Sequence, residues 1–253
     1  GLEYTSGPSE DLKYVDQIHQ YYRYFYEHNI PVDMVSAEDT FAGYKVVAAP
    51  VLYMVKEGMK EALTAFVKQG GILILTYMSG IVDQSDNVYL GGYPGPLREL
   101  AGVWVEEIDA LFPDQKNQMI FADGREAECG LVCDIMHLEG AEALAVYGSD
   151  FYKDSPVVTR NTYGAGRTYY IGSDPSEEGI KMILDKVREE AGISGASGEK
   201  ARLEIVSRWN GEQEYGFLMN FTDQVLPVPE RFAGKEDLLT EKAVESGEAM
   251  KKY

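Results

Sequence analysis

The run GGILILT at residues 70–76 constrains the fold more than any other stretch. Four large apolar residues, Ile72 to Leu75, follow the glycine pair with only Thr76 to close them, so no polar face alternates with an apolar one. A strand of that kind must be covered on both sides, the situation of a parallel strand between two layers of helices. The sequence before it fits. KEGMKEALTAFVKQ has helical spacing of apolar residues, and Gly70-Gly71 suits a left-handed helix end. GYKVVAAP, earlier still, reads as a second strand stopped by Pro50, and PSEEGIKMILDKVREEAG as a helix with Pro175 or Ser176 near its start and Gly192 at its end.

Strands alternating with helices in this order predict an α/β class. The expected arrangement is a flavodoxin-like or class I glutamine-amidotransferase-like doubly wound sheet, mainly parallel, over residues 1–195. SEDLKYVDQIHQYYRYFYEHN opens with Ser9 as an N-cap candidate and carries Tyr14, Ile18, Tyr21, Tyr22 and Phe25 at helical steps. That aromatic stripe is the kind that faces a core or another subunit. IPVDMVS is expected to be a strand. GPLRELAG reads as a short helix, and VWVEEIDAL, CGLVCDIMHL, AEALAVYG, SPVVTRN and GRTYYIGS as strands, the last two joined through YGAG in a hairpin. The small, polar ISGASGEK then reads as a linker. Beyond it, ARLEIVSRWN, GEQEYGFLMNFT and QVLPVP predict a small antiparallel β domain over 199–253, with no long helix before the acidic tail after Leu239.

Charge narrows the partners. With 42 acidic against 23 basic residues the formal net charge is −19, which opposes binding to a phosphate backbone or an anionic membrane. Apolar runs such as YKVVAAPVLYMV fall short of the roughly 20 residues a transmembrane helix needs. No charged-then-apolar segment opens the chain, and the expected location is the cytoplasm. The two cysteines, Cys129 and Cys133, would share one face of a regular strand at a spacing beyond a disulfide's reach. They are expected to be buried free thiols, since a zinc site would need two further soft ligands. No metal and no cofactor is expected.

The stretch after GILILT, YMSGIVDQSDNVYLGGYPGPLRELAG, occupies the strand-end position where ligands bind in open α/β sheets. TYMSG has Tyr77 where a nucleophile elbow needs glycine, so Ser79 reads as a turn hydroxyl. GGYPGP lacks the Lys-Ser/Thr ending of a phosphate loop, and its prolines remove N–H donors. Adjacent acids such as Glu106-Glu107 and Glu189-Glu190 point different ways along their elements and read as solvated faces.

YKVVAAPVLYMV, FVKQGGILILTYMSGIVDQSD, LGGYPGPLRELAGVWVEEIDAL, DFYKDSPVVTRNTYGAGRTYYIGS and FLMNFTD, in that order, resemble the non-catalytic half of bacterial β-galactosidases of glycoside hydrolase family 42, from about Tyr14 to Asp223. The resemblance implies a middle α/β domain that forms a homotrimer contact and a small β domain after it. In that family the two catalytic glutamates belong to an N-terminal eight-stranded barrel, and the acid/base glutamate follows an asparagine. No Asn-Glu pair occurs here. The resemblance therefore implies no catalytic residue in this chain, and as partners other copies of itself and the missing barrel. Tyr89, Leu90, Tyr93 and Leu97 are the candidates for apolar surface that such a partner would cover. The competing reading is a free-standing amidotransferase-like hydrolase or sugar-binding domain.

Overall fold

The computed structural model describes residues 9–36, 39–195 and 203–252. The chain divides into two compact units: one gathers residues up to Tyr22 with Met34–Gly192, the other gathers Arg23–Asp33 with the residues from Ile193 onward.

The first unit is built on a nine-stranded mixed sheet. Its strands are β1 (Val46–Ala49), β2 (Ile72–Thr76), β3 (Val103–Ala110), β4 (Asn117–Phe121), β5 (Glu126–Leu138), β6 (Glu142–Tyr147), β7 (Pro156–Tyr163), β8 (Gly166–Ile171) and β9 (Ser173–Pro175). They run in the order β1-β2-β8-β7-β6-β4-β5-β3, with β9 added against β5. Helix α1 (Tyr14–Glu27) is shared by the two units, and α2 (Met59–Lys68), α3 (Arg98–Ala101) and α4 (Glu177–Glu190) belong to the first. β2 is buried over its whole length, as its composition demands. Leu73 and Leu75 join Met59, Leu63, Phe66 and Val67 of α2 in one core cluster, while Ile72 and Ile74 alternate to the opposite face and are equally buried. At the start of α4, the Ser176 hydroxyl oxygen accepts the Gly179 N–H, with Glu177 and Glu178 in the first turn where the helix dipole favours them.

The α/β class stands, but the sheet is parallel only where β2 pairs with β1 and β8. The remaining pairings are antiparallel. The reason lies in the connections. A parallel neighbour needs a crossover of about a dozen residues or more, whereas YGAG joins β7 to β8 and Ala122–Arg125 joins β4 to β5. Strands β4 and β9 were not anticipated. IPVDMVS, expected as a strand, forms none: residues 31–36 are exposed and belong to no strand, with Pro31 lacking a donor. Ser9 caps a local turn through Asp11 N–H, and the helix itself begins at Tyr14.

In the second unit β10 (Glu204–Asn210) and β11 (Gln213–Met219) form a hairpin with Gly211 at positive φ in its turn. β12 (Leu226–Pro227) pairs with β15 (Ala249–Met250), and β13 (Glu236–Asp237) with β14 (Lys242–Ala243), so the acidic tail folds into short strands. Leu203, Ile205, Leu226 and Phe232 make its core. The side chain of Asn29 adds a rung to this unit: its Nδ2 donates to Leu203 O at 2.9 Å and its Oδ1 accepts from Ile205 N at 3.0 Å. The expected linker, residues 193–200, lies at 196–200 outside the described residues.

Candidate assembly surface

The chain leaves β2 through Tyr77, whose hydroxyl donates to Gln17 Oε1 at 2.5 Å. Met78 and Gly80 then take positive φ values of 58° and 64°, turning the strand sharply. A side chain at Gly80 would strike the Pro94 carbonyl, which lies 2.2 Å from the position a Cβ would occupy, so glycine is required. Ser79 sits inside this turn, fully buried, and its Oγ has no hydrogen-bond partner. A hydroxyl so enclosed cannot meet a substrate, which removes the hydrolase reading that a strand-end serine invites.

The loop beyond is a fixed structure. Asp83 Oδ1 accepts the N–H groups of Ser85 at 2.8 Å and Asn87 at 3.0 Å, and these bonds, with the Asn87 backbone first, hold its carboxyl below the usual range. Val82 bridges to both Met54 and Val88. The Tyr89 hydroxyl donates to Val55 O at 3.2 Å. Tyr93 exchanges two backbone hydrogen bonds with Val105 of β3, at 3.2 and 2.8 Å.

The loop tip is held by a side-chain stack on the adjoining strands. Arg98 forms an ion pair with Glu139 and donates to Gly91 O at 2.9 Å. Its guanidinium lies 5.3 Å over the Trp104 ring, and Trp104 stacks on His137 at 4.9 Å between centroids. His137 Nε2 and Glu106 Oε2 are 2.8 Å apart. Trp104 lies so close to Gly92 that an added Cβ would fall 2.0 Å from its Nε1. Sequence reading missed this stack. Trp104 and His137 are 33 positions apart, and only the pairing of β3 with β5 sets them opposite each other.

The four residues singled out in this loop have different fates. Leu90 is 96% exposed, while Tyr89 and Tyr93 are half-buried and packed on the core beneath. Leu97 is 0% exposed and belongs to the core itself, so it offers a partner nothing. The correction has a simple cause: GPLREL is helical, and its Leu97 and Leu100 turn inward together. Val88 and Leu138 are also exposed.

Among the described residues, no group of three or more His, Cys, Asp or Glu side chains could hold a metal ion, and no helix is long and apolar enough to cross a membrane. The arrangement on this face offers anchored apolar side chains framed by ion pairs, the makings of a contact surface.

Comparison with known proteins agrees in direction. Residues 1–194 match the family model of the β-galactosidase trimerisation domain, and residues 202–253 that of the β-galactosidase C-terminal domain. The chain is 44% identical over 239 residues to β-galactosidase LacA of Lactobacillus acidophilus, covering 94% of this chain and 36% of that protein. It is 42% identical over 254 residues to β-galactosidase BgaA of a Planococcus species, covering 98% and 38%. The crystal structure of the β-galactosidase from Bacillus circulans sp. alkalophilus superposes with a TM-score of 0.94 at 40% identity, covering 99% of this chain and 38% of that one. The chain thus spans little more than a third of the relatives it matches. It belongs to the glycoside hydrolase family 42 β-galactosidases, as their trimerisation domain followed by their C-terminal domain.

Proposed function

We propose that these residues are the assembly portion of a cytoplasmic β-galactosidase that hydrolyses terminal β-galactosides, with the reacting glutamates in a barrel outside them. The chain joins copies of itself into a homotrimer, and the face around Leu90, backed by Tyr89 and Tyr93, takes part in the contact. The observation that carries this reading is the match of residues 1–194 to the trimerisation domain. The fully exposed Leu90 on an otherwise hydrogen-bonded loop supports the choice of face, because a rigid support under an apolar side chain lowers the ordering cost of binding.

Two measurements test it. The isolated chain shows no turnover of a chromogenic galactoside; activity that survives repurification would refute the non-catalytic reading. Sedimentation across protein and salt concentration shows self-association that strengthens with salt, since the net charge of −19 repels at long range but is screened beyond about 8 Å at physiological ionic strength. Leu90→Asp weakens that association. A chain that stays monomeric at high concentration and high salt removes the self-assembly part.

A further inference from the structure

Cys129 and Cys133 are four residues apart on β5, which in a regular strand would separate their Cα atoms by about 13 Å. The pairing with β9 shortens this. Cys129 stands opposite Pro175 and Cys133 opposite Ser173, so four steps along β5 advance the ladder by only two. The excess is absorbed in a bulge between Gly130 and Cys133, where Leu131 takes φ 64°. Two rungs of a ladder are about 7 Å, close to the outer limit of the Cα separations that disulfides bridge, about 6.8 Å. Residues two rungs apart also share a face, and a bulged strand bends.

Both thiols are free and buried. The Cys133 sulfur lies 3.6 Å from Ser173 Oγ. Hydrogen bonding from Cys129, joined by Ser173, Tyr152 and Tyr147, holds the Cys133 thiol below its ordinary range, while the same contact with Cys133 and then burial push Cys129 up. Cys133, with the Ser173 hydroxyl beside its sulfur, takes the attacking role, and Cys129 the resolving one. The cover over them includes β9, three residues long and paired with β5 alone among the described strands.

We propose that Cys129 and Cys133 are a dithiol site that closes to an intrachain disulfide when met by a peroxide. The Cys133 thiolate attacks one peroxide oxygen and the O–O bond breaks; hydroxide leaves, takes up a proton and becomes water, and Cys133 is left as a sulfenic acid. Cys129 then gives up its proton and attacks the Cys133 sulfur. The S–O bond breaks, a second water leaves, and the S–S bond forms. The two thiols lose two electrons in all, and these reduce the peroxide.

The test uses the full chain, whose only cysteines are these two. Hydrogen peroxide is added and quenched, the protein is unfolded in N-ethylmaleimide, and its intact mass is read. Untreated chain takes two maleimides. Treated chain takes none and is lighter by two hydrogen atoms, and dithiothreitol restores both labels. Phenylarsine oxide, a probe for adjacent thiols, binds the untreated chain once, and either Cys129→Ala or Cys133→Ala abolishes that binding. In Cys129→Ala, peroxide leaves Cys133 as a sulfenic acid that dimedone captures. The wild-type measurements decide the matter even if a variant fails to fold. The proposal is overturned if both thiols still take maleimide at a peroxide dose that oxidises the exposed Met34. It is equally overturned if one sulfur gains oxygens while the other stays labelled, or if the disulfide joins two chains.

Discussion

The two units of the chain hold together in different ways. In the first, a continuous nine-stranded sheet sets β2 deep among helices, with Leu73, Leu75, Val67 and Tyr170 removed from water. In the second, separate two-stranded ladders share a core of four buried residues, and the Asn29 side chain supplies hydrogen bonds that strand neighbours supply elsewhere. The difference teaches that the first unit rests on apolar burial, and the second on individual polar contacts as well. A short hairpin is marginal in water without added strands or packing, so each such contact carries a larger share.

The largest expected effect strikes the first unit. Leu75→Ala leaves a cavity in a layer closed on every side and costs about 2–5 kcal/mol by chemical denaturation; a loss under about 1 kcal/mol would mean that the sheet core is looser than its burial indicates. The matching change in the second unit is polar. Asn29→Ala leaves Ile205 N and Leu203 O without their partner and costs about 1–3 kcal/mol, read as faster hydrogen exchange in β10 than in β2. Equal effects in both strands would mean that the two units are held together alike.

Asp134 tests the first unit's dryness. It is fully buried with Oδ1 unpartnered, and burial raises its pKa to about 8 against the opposing hydrogen bond from Tyr170, 2.7 Å from Oδ2. The folded chain therefore keeps a proton that the unfolded chain releases near the ordinary carboxylate value. The stability this permits is complete below that value and is lost as pH rises toward about 8, at a slope of at most about 1.4 kcal/mol per pH unit. Asp134→Asn flattens the slope. A wild-type stability that stays constant between pH 4.5 and 8 would show a solvated carboxylate. The smallest effect on stability belongs to Leu90→Ala, within about 0.5 kcal/mol as for most exposed positions; its consequence is on self-association. A large loss of stability there would show that Leu90 is part of the fold and not a free contact.

How much of this was legible beforehand varied by element. GILILT, the helix over KEGMKEALTAFVKQ, and the start of α4 at Pro175 or Ser176 were all readable, because each is a local pattern. IPVDMVS has strand composition, but composition supplies no neighbour for it to pair with. Leu97 and Leu90 are both leucines within one loop segment, seven positions apart, and nothing local says which turns inward. The stack of Arg98, Trp104 and His137 depends on the register of β3 against β5, a long-range fact.

The sequence by itself determined the α/β class, the small antiparallel strands that follow it, and the absence of an Asn-Glu pair, because hydrophobic periodicity, turn chemistry and residue identity are local properties. Tertiary structure alone decided that most of the sheet is antiparallel, that Ser79 is sealed, and that a bulge draws Cys129 and Cys133 to within two rungs. Those outcomes follow from which strands find each other and in what register, and pairing energy is shared between segments far apart in the chain, so no single segment encodes it.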